Sequence, residues 1–316
     1  MHRTSGRAGL GLALASTTMG LWAALPIALS GVLPVLDPFT LTWARFVVSA
    51  AVLGGFLAAR RDLPSVRGID RSRTVLLAVA TFFLAVNYAA YLVGLDWSSA
   101  ADAQVLIQLG PLLLSAGGIA VFRESFTRVQ WTGLAVLVAG VGVFVAVRLG
   151  DALLRSGSLA SGMSMILFAA VVWAVYGLAQ KQLLHTTRSV HVLLFVYVGC
   201  ALLFTPFAAP QALAALDGTR AAILAFCALN TVVGYGAFAE SLAHWEASRV
   251  GAVLALTPIG TLALAAAIDA LAPDWGVGQT LSAGGWLGAI LVVLGSLAVS
   301  LGAERGATAG AASPET

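Results

Sequence analysis

Charge is what this 316-residue chain has least of: Asp, Glu, Lys and Arg make up 10% of it, against roughly 25% in an ordinary soluble domain. A water-soluble core inside a polar shell is thereby excluded. Cysteine is nearly absent as well. Cys200 and Cys227 are the only two, both inside long apolar stretches, so no disulfide framework is implied and both read as packing residues. The four histidines, His2, His185, His191 and His244, never take the HExxH spacing of a zinc enzyme, and no Cys/His set has metal-ligand spacing. Neither GxSxG nor GxGxxG occurs. Without a soluble domain, a displayed nucleophile or a metal set, the sequence argues against an enzyme and calls for no cofactor. The formal charge of +3 comes from basic residues beside apolar stretches, not from a basic tract, which argues against a nucleic-acid partner.

What the chain has in quantity is apolar sequence. Hydrophobic residues make up 59% of it, and the mean hydropathy is +0.94. A membrane-spanning helix needs about 20 mainly apolar residues. Ten such stretches can be read, at about 10–33, 38–59, 73–95, 98–121, 128–147, 158–183, 190–209, 219–243, 247–271 and 283–302. Arg3 and Arg7 give the first stretch the flank of a signal peptide, but it is longer than a typical signal core and nine spans follow it. The expected fold is therefore an all-α polytopic membrane protein of ten transmembrane helices.

The chain also repeats itself. At a shift of 147 positions, the distance from Pro111 to Pro258, Tyr88 falls on Tyr235, Tyr91 on Phe238 and Leu109 on Leu256. At a shift of 155, Trp131, Gly133 and Gly140 fall on Trp286, Gly288 and Gly295, and at a shift of 151 Trp22 falls on Trp173. Residues 1–147 and 148–302 thus read as two five-helix repeats, followed by a Gly/Ala/Ser/Pro tail at 303–316 that reads as disordered. Five is odd, so the halves sit inverted, the plan of many secondary transporters.

Orientation follows from the cations. With the N-terminus inside, thirteen Lys and Arg residues lie on the cytoplasmic side and only Arg148, Arg155 and Arg220 outside, with Arg45 within a span. That asymmetry predicts cytoplasmic termini in an inner (plasma) membrane. In a Cys-free background, cysteines at Ser156 or Asp217 are expected to react with an impermeant thiol reagent added to intact cells, and cysteines at Ser65 or Ser313 are not. Labelling of the second pair would reverse the topology.

Polar groups inside the spans are the candidate functional residues. Six tryptophans lie near span ends, where an interfacial belt is expected. Trp22 and Trp173 instead lie mid-span at matched positions, suited either to packing or to a cavity wall. Tyr176 and Gln180 share the face of Trp173. Gln104, Gln108, Pro111 and Ser115 advance by four, three and four residues and so share a face, and amides have no partner in lipid. Pro111 and Pro258 interrupt matching helices, a pointer to a transport site. Asn87 and Tyr91 share a face of the third span, and Asn230 is similarly deep; ligand contact and interhelical bonding are both open to these asparagines.

Ionisable groups at depth are expensive and count as functional by default. Arg45 suits an outward-reaching cation, an ion pair or a partner for an anionic solute group. Glu240 suits either a solvated edge or proton coupling. Asp102 stands at capping-box spacing from Ser99 and reads as a helix cap. Gly133, Gly140, Gly288, Gly295 and Gly302 recur at seven-residue spacing and read as a close seam between the fifth and tenth spans, or as a homodimer contact. Oligomeric state, monomer or homodimer, stays open.

The run Gln108-Leu109-Gly110-Pro111, then Phe122-Arg123-Glu124, then Trp131-Thr132-Gly133 to Gly140-Val141-Gly142-Val143, resembles the EamA-type repeat of the drug/metabolite transporter superfamily. Trp22 and Arg45-Phe46 are similar to that repeat's opening. The resemblance covers Leu10 to Gly302 as two copies. It departs in the second copy, where Leu271 stands in place of the glutamate that Glu124 supplies. The resemblance implies alternating-access movement of a small organic solute through a cavity between the helices. Members export amino acids, drugs and other metabolites. The reading is an exporter of amino acids or related metabolites, with a solute or proton gradient as energy source. Alternatives are a multidrug exporter, an importer, or a non-transporting assembly or lipid-handling factor. The expected cavity residues are Trp22, Asn87, Tyr91, Gln104, Gln108, Trp173, Tyr176, Asn230 and Tyr235.

Overall fold

The computed structural model describes residues 7–65, 70–122, 127–153, 158–245, 247–271 and 281–311. Arg3, Arg67, Arg123, Glu124, Arg155, Ser156, Trp275 and Ser313, all named above or counted among the charges and belt residues, lie outside the described residues. Those described are almost entirely helical: α1 (Ala8–Val32), α2 (Pro38–Ala59), α3 (Arg71–Asp96), α4 (Ala100–Leu106), α5 (Leu109–Phe122), α6 (Arg128–Leu153), α7 (Ser158–Leu184), α8 (Ser189–Phe204), α9 (Gly218–His244), α10 (Ala247–Leu254), α11 (Thr257–Leu271) and α12 (Ala283–Ala311). No strand occurs among them. Among the described residues nine stretches are long and apolar enough to cross a membrane, and Ala100–Leu114 forms a shorter tenth. The last helix runs past the expected end of its span at Gly302 to Ala311.

Local chemistry sets the helix starts. Asp37 accepts from the Phe39 and Thr40 amides ahead of Pro38, Asp70 from Arg73, and Asp217 from Arg220, each satisfying amides that an α-helix leaves unpaired at its first turn. That backbone bond from Arg220 holds the Asp217 carboxyl below its usual range.

The fourth and ninth spans are each two helices. Pro111 stands in the first turn of α5 and Pro258 in that of α11, where a missing N–H breaks no internal bond. The carbonyls four residues earlier find other donors. Ile107 O accepts from Gly110 N at 2.9 Å, and Leu254 O accepts from the Thr257 hydroxyl.

Packing follows the repeat. The pairs α1 with α9 and α3 with α7 are the same contact related by exchange of halves, while α2 packs on α8 and α6 on α12 across the pseudo-twofold. The glycine stripe is the α6–α12 seam. A β-carbon on Gly140 would stand 2.6 Å from Val292 N, and one on Gly288 2.7 Å from Phe144 N, so these backbones touch directly.

The symmetry breaks along the fourth and ninth spans. At the face where α1 ends and α2 begins, α4 packs on α11 and on α1. The repeat-related pair at the opposite face, α5 and α10, has no comparable packing among the described residues. An apolar cluster that includes Leu29, Val32, Leu36, Leu95, Leu106 and Phe144 fills the first face. Among the described residues the bundle is closed at one end and parted at the other.

Candidate functional site

The parting is a cavity of about 780 Å³, within the range of small-molecule sites. It runs from the centre of the bundle to the face carrying Lys181, Leu184, Ser189 and Ser300. All nine residues expected from sequence line it, as do Arg45, Pro111 and Gln180. The side chain of Ser115 is not described. Pro258 is buried in the first turn of α11 and is not among the lining residues, although its neighbour Thr257 is.

Aromatic rings make one wall. Trp22 on α1 meets Tyr235 edge-on at 5.4 Å and Phe238 at 5.7 Å. Gly234 permits this, since a β-carbon there would lie 2.7 Å from the Trp22 indole nitrogen. Trp173 on α7 lies against Gly110, near the break between α4 and α5, and is a polar neighbour of the Tyr235 hydroxyl.

The asparagines act as clasps. Asn87 donates from Nδ2 to Ala169 O at 2.8 Å, joining α3 to α7, and Asn230 donates from Nδ2 to Leu21 O at 2.7 Å, joining α9 to α1. One asparagine therefore ties each of the two repeat-related interfaces. Asn230 Oδ1 is buried without a partner among the described residues.

Arg45 is 3% exposed. Its Nη2 donates to Thr231 Oγ1 at 3.1 Å, and its guanidinium carbon stands 5.0 Å from the centre of the Tyr88 ring. Among the described residues no carboxylate lies within ion-pair distance of it.

Glu240 stands elsewhere. It is not among the cavity-lining residues; its side chain is 62% exposed and meets His244 one turn on at 3.1 Å. Tyr88 and Thr231 are cavity residues that the sequence reading passed over. Tyr88 had a signal, since it lies three residues from Tyr91 and matches Tyr235 in the repeat. Thr231 had none, being one threonine in an apolar helix.

The Ser99–Asp102 cap has a second role. Asp102 N donates to Ser99 Oγ at 3.1 Å, and Asp102 also receives Arg148 Nε and Nη2 at 2.7 Å each. This two-pronged ion pair joins the start of α4 to α6 at the closed face, with Asp102 0% and Arg148 8% exposed.

A membrane bundle built from two five-span halves, broken at matching prolines around one central cavity, has the architecture of a carrier. Residues 9–146 and 160–301 each match the EamA-like transporter family. This chain belongs to that family, within the drug/metabolite transporter superfamily, and is a multi-pass membrane transporter. It is 36% identical to the uncharacterized inner membrane transporter YhbE of Escherichia coli K12, over 94% of this chain and 92% of that one. An uncharacterized transporter of Haemophilus influenzae is 30% identical, over 93% and 95%. A probable amino-acid metabolite efflux pump of Salmonella typhimurium is 26% identical, over 82% and 84%. A solved crystal structure shares the fold at 19% identity, with a TM-score of 0.62 over 95% of this chain and 98% of that one.

Proposed function

We propose that this EamA-family transporter exports amino acids or closely related metabolites across the inner membrane by alternating access, with both termini in the cytoplasm. The observation that carries the reading is the cavity itself, walled by aromatic rings and amides and reaching, among the described residues, the face of Lys181, Leu184, Ser189 and Ser300. In the proposed topology that face is cytoplasmic, which is where an exporter loads. The inverted repeat supplies the return state: packing α5 on α10 while α4 leaves α11 would close the inner face and open the outer one. The Salmonella efflux pump is a more distant relative whose name agrees in substrate class and direction.

Coupling to protons through Glu240 loses its support, because that residue is exposed and stands apart from the cavity. Movement down the solute's own gradient needs no titrating group.

The experiment is a comparison of extracellular metabolites from cells with and without the gene, followed by flux in liposomes for the compounds that rise. Gln108→Ala and Trp173→Ala are expected to lower flux about tenfold, the equivalent of roughly 1.4 kcal/mol of binding, at unchanged protein level in the membrane. Loss of both variants from the membrane fraction would assign these side chains to packing. Uptake in place of release would make the protein an importer.

A further inference from the structure

We propose that Arg45 receives the carboxylate of the transported solute, so that the cavity selects α-amino acids over their amides and over amines. This rests on the transport reading above and names the group within the cavity that decides what is carried.

A guanidinium does not shed its proton in a protein. Once buried between helices its charge must be met by something. Ion pairing, the usual answer, is missing here: no salt bridge to Arg45 occurs among the described residues. Among the described residues its neighbours are the Thr231 hydroxyl and Tyr88, by ring face and hydroxyl, and neutral groups offset only part of the desolvation of a charge. Nε is buried with no acceptor among the described residues. An unpaired buried donor costs free energy, and a planar carboxylate is the acceptor whose geometry the guanidinium fork matches.

The rest of the cavity agrees in sign. Its described lining includes Arg45 and Lys181 and no Asp or Glu. Lys181 lies in the last turn of α7, toward the open face. Among the described lining residues a cationic solute would meet no carboxylate.

The ammonium end of an amino acid also has a place to go. Asn230 Oδ1 is a buried acceptor without a donor among the described residues, on the residue preceding the threonine that holds Arg45. An unmet donor on Arg45 and an unmet acceptor on Asn230, both lining the one cavity, complement a zwitterion.

The test is binding, read separately from transport. Purified protein in lipid nanodiscs is titrated with the common amino acids and with the corresponding amides, using fluorescence of the cavity residues Trp22 and Trp173 as the signal. At least one amino acid is expected to bind at least about a hundredfold more tightly than its amide, since a site built to pair a polar group rejects the analogue that lacks it. Arg45→Gln should erase that difference and Arg45→Lys should keep part of it. An amide that binds as well as its acid in the wild-type protein, or the absence of any amino-acid binding, overturns the proposal without recourse to a variant. Flux of neutral or cationic solutes in either case would leave the transport reading standing, whereas absence of any flux would remove that reading instead.

Discussion

Replacing Arg148 with alanine is expected to remove most of the folded protein from the membrane, with a loss of about 3–5 kcal/mol in stability. The cost comes from what is left behind. Asp102 is fully buried and receives both prongs of the guanidinium at 2.7 Å, so the variant strands a carboxylate in a water-poor setting. Asp102→Ala strands the cation and should cost about as much. Joint replacement by apolar residues of similar volume, Asp102→Leu with Arg148→Met, should recover much of the loss, because no charge then remains to be solvated. Thermal unfolding in detergent and the protein level in isolated membranes measure both effects. Single variants as stable as the wild type would mean that water reaches the pair. The consequence for mechanism is one of position: the pair fastens the start of α4, which packs on α11 to close one face, to the scaffold helix α6. At the repeat shifts, Asp102 and Arg148 fall on Arg249 and Ala303, so the second half does not carry the same pair.

This ion pair shows where the sequence stops being readable. Its members lie 46 positions apart, and Asp102 already had a complete local explanation as a capping residue, one that the structure retains. Periodicity states which residues of one helix share a face. It does not state which other helix that face meets. The stripe of Gln104, Gln108 and Pro111 was therefore legible as inward-facing, and the structure places it on the cavity. Thr231 was not, since its part depends wholly on Arg45 arriving from α2. Glu240 was open to two readings, a solvated edge or proton coupling, for a related reason. An acid near the end of an apolar span looks costly in sequence, yet an exposed site with a histidine one turn away removes most of that cost. The repeat was the strongest sequence signal because it is internal. It required the two prolines to do the same work, and both stand at the start of a second half-helix. The end at which the molecule is closed lay beyond sequence, because two inverted halves are equally able to close either face.

Gly288→Leu is expected to abolish the folded protein, while Gly142→Ala, on the partner helix but outside the seam, should be neutral or stabilising. A β-carbon on Gly288 would lie 2.7–2.8 Å from the backbone nitrogen, Cα and Cβ of Phe144, and backbone does not yield as the tip of a flexible side chain does. Overpacking of a core costs roughly 1–3 kcal/mol where side chains can move, and here two helices would have to part along their length. Gly142 faces away: nothing lies within 4 Å of its added carbon, so alanine there gains about 0.5–1 kcal/mol of helix propensity. Protein level in the membrane and retention of a monodisperse peak in detergent distinguish the two. The contrast also decides what the glycine stripe is for. If the stripe served a homodimer instead, Gly288→Leu would shift the protein from dimer to monomer without loss of fold. Contact between α6 and α12 inside one chain requires that no folded monomer survive, since this seam carries the pseudo-twofold axis that holds the two halves around the cavity.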